Sequence, residues 1–504
     1  MGRDDKVQGH AHTRRPLARD TTRGAERSTG FLVVAIAGFL LARLPLLPQR
    51  AFDPDELEHA HAAWSLFRGM RPYADFFEHH TPWYYDLLAP FFRWFSVDTS
   101  FDSAIHFLIF GRVLSFGLTV LSLVLVYRLG ARWRDRRTGL VAALLLVAQP
   151  VFLQKTVEMR PDVLALPFFL GALAALLGGL EPADSPGRRL GWFTLGGLLL
   201  GGAVMCTQKM LFALPGLMAG LGLWLLSGER RARLLAVITF GVALAIPGLL
   251  TWAAFALRGA GAAFITNNFL LNASWKHVPT GQLNRVFVGS APVLLLGALG
   301  VGLLVRRSLA ERRADHGGLL LACTGLGLFA GVLVIPVAQR QYYLMPMPLA
   351  CLVAADGLLA VVRVIMERAR GWARGAWVGA AVIGLSFVPL RALRAEYRAR
   401  GDVQRARLRQ VFETTAPTDV VMDGWEGMGV FRPHAFYYYF IHDELLPMLS
   451  QARVDAFLDD LEGRRVHPRL IALDSHLVAL GPRFQAFVAR NYTTRDGFFY
   501  YSNE

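Results

Sequence analysis

Asp53, Asp55 and Glu56, then Glu58, His59 and His61, then Glu78, His79 and His80 all fall within residues 51–92. Carboxylates in such a group can take a proton from an attacking hydroxyl or amine, or bind a divalent cation. Imidazoles add hydrogen bonding, phosphate contact or metal ligation. If Asp55 begins a helix, Glu56, His59 and Ala63 share one face, with Asp55 and Glu58 on a neighbouring one. Pro54 fixes the backbone between the first two acids. The His79-His80 pair lacks the i,i+4 spacing of a helical zinc pair, so hydrogen bonding or phosphate contact is the expected role.

Three more polar sets interrupt apolar sequence. Glu158, Arg160 and Asp162 crowd a short turn. There Asp162 could join a cation site and Arg160 could orient a carboxylate or bind phosphate, although Pro161-Asp162 also suits a plain helix start. Lys209 lies in the brief interruption Thr207-Gln208-Lys209. Lys276, Arg340, Tyr342 and Tyr343 lie in later turns. Basic side chains at a membrane boundary suit a lipid-linked phosphate whose tail stays in the bilayer, or ordinary snorkelling.

The elements that must position these groups are membrane helices. The chain has 504 residues, 54% hydrophobic, and apolar runs near spanning length alternate with short charged clusters. About eleven spans are expected, near 30–47, 104–127, 139–152, 163–180, 190–206, 210–227, 234–257, 286–305, 317–336, 344–362 and 375–390. Pro150 interrupts the third. The net charge of +15 reflects arginines flanking the spans, so it is a topology and lipid signal and not a nucleic-acid one. Cys206, Cys323 and Cys351 all lie in apolar runs and suggest neither a disulfide framework nor a metal motif.

With the arginine-rich residues 1–28 read as a disordered cytoplasmic tail, the acidic loop at 48–103 faces the other side. Residues 29–390 form the transmembrane domain, and 391–504 a small α/β extracytoplasmic domain. In that domain 420–422 and 470–473 read as strands, and 454–461 and 484–488 as helices. The aromatic run 436–440 is expected at the membrane interface. The basic stretch 391–409 sits awkwardly on the outer side of the last span.

The ordered motifs DPDE (53–56), HHTPWYY (79–85), RPD (160–162), TQK (207–209) and RQYYLMPMP (340–348) resemble those of GT-C fold glycosyltransferases. The resemblance is to the protein O-mannosyltransferases, the aminoarabinose transferase and rhizobial lipopolysaccharide relatives. It implies an all-α polytopic GT-C protein of the bacterial inner membrane. Such a protein transfers a sugar, with inversion, from a polyprenyl-phosphate donor to an envelope glycan, lipid or protein acceptor on the external face. Asp53 or Asp55 would be the base. Arg160, Lys209, Arg340, Tyr342, His79 and His80 would contact the donor phosphate. Asp55, Glu56 and Asp162 would hold a divalent cation such as Mg or Mn. Nucleic acid is not an expected partner. The alternative is a transporter or flippase of a lipid-linked saccharide, which should carry ionisable groups near the bilayer midplane.

Overall fold

The computed structural model describes residues 17–181, 185–275, 281–311 and 314–503. Among these, nine helices are long and apolar enough to span a membrane. Two of the eleven expected spans are not in that set. The third stops early: Arg136–Val147 is a helix of 12 residues, about 18 Å long against a hydrocarbon core of about 30 Å. Pro150 starts a second helix, Pro150–Lys155. The eleventh lies in Trp372–Arg398, where several side chains fall outside the described set. The first helix begins at Leu17, so the tail expected to be disordered is helical over 17–28, while residues 1–16 lie outside the described residues.

The helix Pro161–Leu180 is the most enclosed span, with 78% of its apolar window buried. It packs between Phe101–Trp133 and Pro186–Cys206. Without a strong hydrophobic drive between helices in lipid, close packing depends on small residues. Gly197 and Gly201 supply it here: a side chain at either would run into the backbone of the helix Arg230–Leu257.

Outside the spans lies the helix Pro54–Phe67. Asp53 caps it: its side chain accepts from Asp55 N, while Glu56 reaches back to Asp53 N at 2.9 Å. Pro54 at the first helical position completes a strong start signal. The loop before it is held by Gln404, whose amide nitrogen donates to Phe52 O (3.0 Å) and whose amide oxygen accepts from Phe52 N (2.7 Å).

The C-terminal part forms a four-stranded sheet of β1 (Val421–Asp423), β2 (Leu470–Ala472), β3 (Tyr492–Thr494) and β4 (Phe499–Ser502) in the order β1-β2-β4-β3. β1 and β2 are parallel, with Met422 opposite Ile471. The expected strands and the helices Gln451–Glu462 and Pro482–Asn491 are all present. β3 and β4, which pair antiparallel, complete the sheet.

The aromatic run packs against other parts of the protein. Tyr437 and Tyr438 pack on Phe77, Tyr439 packs 4.4 Å from the His61 ring, and Phe436 stacks on Phe457. The run is the surface by which this domain sits on the first loop. The basic stretch also has a packing use. Arg407 lies over Phe498, Arg409 over Phe101, and Arg405 donates to Pro48 O.

Candidate active site

Arg160 is nearly fully buried and is the hub of the site. It caps the helix Pro161–Leu180, and its guanidinium reaches three carboxylates. NH2 donates to Asp53 Oδ1 (2.8 Å), NH1 to Asp55 Oδ2 (2.6 Å) and Nε to Glu158. Lys155, the last residue of its short helix, donates to the other Asp53 oxygen at 2.9 Å and to Glu158 at 3.0 Å. Arg50 also pairs with Glu158, at 2.8 Å, and ties it to Glu396 at 2.6 Å. Burial alone would raise the Asp53 carboxyl, but Arg160 and Lys155 outweigh it and hold it well below the usual carboxylate range. Glu158 is lowered by the same balance.

Glu56 belongs to the scaffold. Arg112, fully buried in the span Phe101–Trp133, donates to both its oxygens at 2.8 and 2.7 Å. Met159 N and Asp53 N add a further bond to each oxygen. The same guanidinium holds the carbonyls of Leu47, Arg50 and Ala51 and lies 4.2 Å over Phe52. Glu56 is therefore not a free cation ligand, which corrects the set Asp55, Glu56, Asp162. Its other members each face a protein cation: Asp55 meets Arg160, and Asp162 lies 3.5 Å from Lys209 Nζ.

The groups best placed for a metal are others. Ligand atoms of Glu58, Glu78, His79 and His80 lie within 4.8 Å of one another. Glu78 Oε1 accepts from the backbone N of His79 (2.8 Å) and His80 (2.9 Å) and pairs with His80 Nδ1 (2.9 Å). Glu78 Oε2 and His79 Nδ1 are buried without a geometric hydrogen bond among the described residues, His79 Nδ1 lying 4.0 Å from Glu78 Oε1. Two carboxylates and two imidazoles with these two atoms unbonded fit a divalent ion. Burial, then Glu78 and Asp55, push Glu58 well above the usual range, and burial with His80 and His442 keeps His79 neutral. The sequence pattern pointed away from metal because it tested helical spacing, whereas this cluster joins a helix residue to an extended segment.

Glu58, His79 and His80, with Glu78 set behind the lining, border one polar cavity of about 290 Å³. Asp53, Asp55, Arg160, Asp162 and Lys209 border it together, and so do His79, His80 and Tyr342. Lys209 Nζ sits 3.9 Å from the centre of the Tyr342 ring. Burial, then Asp162, keeps the Tyr342 hydroxyl protonated. Arg340 is not at this cavity. It donates to the side-chain oxygens of Gln282 (2.6 Å) and Gln154 (3.0 Å) and lines a second, more apolar cavity of about 610 Å³ with Arg285 and Arg391. One short 3₁₀ turn, Arg340–Leu344, thus divides three spaces, since Tyr343 borders an apolar groove of about 300 Å³. Lys276 lies outside the described residues.

Comparison with known proteins adds to this geometry. A family profile described as "Dolichyl-phosphate-mannose-protein mannosyltransferase" matches residues 103–255, which hold Arg160, Asp162 and Lys209 but not the first loop. ArnT from Cupriavidus metallidurans superimposes in the apo state with a TM-score of 0.65 at 14% identity, over 94% of this chain and 98% of that one. Its form bound to undecaprenyl phosphate gives 0.61 at 15% identity, over 94% and 97%. The archaeal oligosaccharyltransferase AglB from Archaeoglobus fulgidus, in complex with an inhibitory peptide and a dolichol-phosphate, gives 0.62 at 12%, over 94% and 74%. The chain has the GT-C fold. No curated protein matches the sequence.

The loops of the C-terminal sheet also contribute to the cavity. The loops leaving the carboxyl ends of β1 and β2 carry Trp425, His442 and His476. Asp474 fastens those loops together by accepting from the N–H groups of Trp425 (2.6 Å), His476 (3.0 Å) and Leu477 (2.9 Å). Any side chain at Gly424 would displace the Asp474 carboxylate. Sequence reasoning assigned no role to Trp425, His442 or Lys155. Ligands gathering at the carboxyl ends of parallel strands was the available signal for the first two.

Proposed function

We propose that this protein transfers a sugar from a polyprenyl-phosphate donor to a hydroxyl or amine of an envelope acceptor, on the external face of the bacterial inner membrane. The observation that carries this reading is the difference between two neighbouring acids. Asp53 is held by two cations, whereas Asp55 meets only one guanidinium hydrogen, on one oxygen. A base must bind a proton, and a carboxylate gripped by two cations is a poor one. Asp55 is the better base, and Asp53 positions Arg160.

In this scheme the Asp55 carboxylate takes the proton from the acceptor. The acceptor oxygen or nitrogen bonds to the anomeric carbon, and the bond from that carbon to the phosphate oxygen breaks with inversion. The electron pair stays on the leaving phosphate. Lys209 supplies positive charge toward it, and the protonated Tyr342 hydroxyl can donate to it. A divalent cation bound by Glu58, Glu78, His79 and His80 would add charge stabilisation for the same phosphate. The arginine clusters at the opposite helix ends support an external site, and the preloaded lipid donor suits a chain without a nucleotide-binding motif.

The test is transfer from radiolabelled polyprenyl-phosphate sugars to native envelope acceptors by the purified protein in lipid nanodiscs. D55N should lower kcat by about 100-fold or more. Full activity in D55N would overturn the assignment of the base. Activity in the D53N/D55N double variant would overturn the mechanism.

A further inference from the structure

The cavity has a second kind of wall. Trp275, His442 and Trp425 border it, and their rings form a continuous series. The Trp275 ring lies 5.2 Å from His79 and 5.3 Å from His442, and His442 lies 5.2 Å from Trp425. His476 stacks on Trp425 at 5.7 Å and pairs with Asp443 at 3.0 Å. His442 is fixed in turn: its Nδ1 meets Glu444 at 2.9 Å, and Glu444 accepts from Gln339 at 2.9 Å.

Two polar atoms on this wall are buried with no partner among the described residues, Trp275 Nε1 and His442 Nε2. Buried polar atoms are ordinarily paired, so an orphaned pair beside a cavity marks a place where a ligand completes the bonding. With the Nδ1 hydrogen of His442 directed to Glu444, Nε2 offers a lone pair, while Trp275 Nε1 offers a hydrogen. An aromatic surface with one donor and one acceptor suits a ring that has a C–H face and hydroxyl edges.

We propose that Trp275, His442 and Trp425 seat the pyranose ring of the acceptor, with a ring hydroxyl donating to His442 Nε2. This assignment rests on the glycosyltransferase reading for the word acceptor. Lys209, the cation given to the phosphate in that reading, comes from the start of a membrane helix, where a lipid phosphate would lie. His442 and Trp425 come from the loops of the C-terminal sheet, outside the candidate spans, and line the same cavity.

The test needs no turnover. Saturation-transfer NMR on the full chain in phosphatidylethanolamine/phosphatidylglycerol nanodiscs, with methyl α-mannoside, methyl β-glucoside and methyl β-galactoside as probes, should show transfer to the ring C–H protons of at least one. W425A should cut that signal about fivefold or more, W425F should keep most of it, and H442F should weaken it although a ring remains. No signal with any probe, or an unchanged signal in both W425A and H442F, overturns the proposal. Displacement of the bound pyranoside by a polyprenyl-phosphate sugar, but not by polyprenyl phosphate, overturns the acceptor assignment and gives the wall to the donor. If D55N retains transfer while the NMR arms behave as expected, the base assignment fails and the sugar seat stands.

Discussion

Lys155 Nζ lies 2.9 Å from Asp53 Oδ2, on the six-residue helix that restarts the broken third span. The break at Pro150 therefore has a consequence in the site, because it delivers the cation that helps hold Asp53 ionised. K155M removes that cation and leaves burial opposed only by Arg160 and, more weakly, Arg50, so the Asp53 carboxyl should rise. Protonated Asp53 releases Arg160. The acid limb of the pH–rate profile should then move to higher pH, with kcat lower by about 10- to 100-fold as Asp55 loses its orientation, and acceptor KM near wild type. An unchanged acid limb in K155M would show that Asp53 ionisation does not matter.

The Glu56–Arg112 pair predicts a stability effect without any role in the chemistry. Both side chains are fully buried, and removing one partner strands the other charge. E56Q should lose about 3–5 kcal/mol, read as a lower melting temperature in detergent or nanodiscs. E56Q/R112M should recover part of the loss. Equal melting of E56Q and wild type would contradict the geometry.

Metal binding should depend on pH in a definite direction. Glu58 is protonated in the fold because burial and its acidic neighbours raise it. Its contribution to stability is full below the unfolded carboxylate range and declines as pH rises toward the raised folded value. A cation that binds the carboxylate must displace that proton, so affinity should increase with pH. Mn or Zn should raise the melting temperature more at about pH 8 than at about pH 6, and E78Q or H80A should abolish the increment. A pH-independent increment that survives E78Q would exclude this cluster.

Docking of the C-terminal domain should weaken in mild acid. His61 Nε2 lies 2.8 Å from His434 Nδ1, and His61 Nδ1 meets Val430 O at 3.0 Å. Burial pushes His61 down to about 3, with His434 adding to it, and burial alone takes His434 down to about 4. Both are neutral in the fold. Their stabilisation is complete above the unfolded histidine value, about 6.5, and is lost as pH falls toward the folded values, by up to roughly 1.4 kcal/mol per unit for each. Hydrogen exchange of residues 421–445 should rise between about pH 6.5 and pH 5. H61Q/H434Q should flatten that dependence, and a wild-type profile flat over the same range would refute it.

The acids of the first loop were legible because a capping box and a run of carboxylates are local signals: Asp53, Pro54 and Glu56 read as a helix start and form one. The partner that decides the role of Glu56 was not. Arg112 sits inside an apolar run, where a lone arginine looks like a snorkelling side chain, and only the tertiary fold brings it to the carboxylate. Arg340 misled for the opposite reason. Its turn faces the right side, but a 3₁₀ turn points successive residues into different spaces, so Tyr342 reaches the polar cavity and Arg340 does not. Two separate chain segments build the metal-competent cluster, and the aromatic wall joins residue 275 to loops beyond 420. No window of sequence contains either juxtaposition.

Lys155, Arg160 and Lys209, the cations that border the polar cavity, each already face a carboxylate. A phosphoester therefore enters a compartment whose cations are already paired and whose lining holds more carboxylates than cations. Its negative charge has to be matched by uptake of a proton or a metal ion, or by breaking one of those ion pairs. Donor affinity and ion uptake become linked quantities, each shifting the other by the same factor. The stoichiometry of ions taken up per donor bound is then a property of the empty site, written in its pairing before any ligand is present.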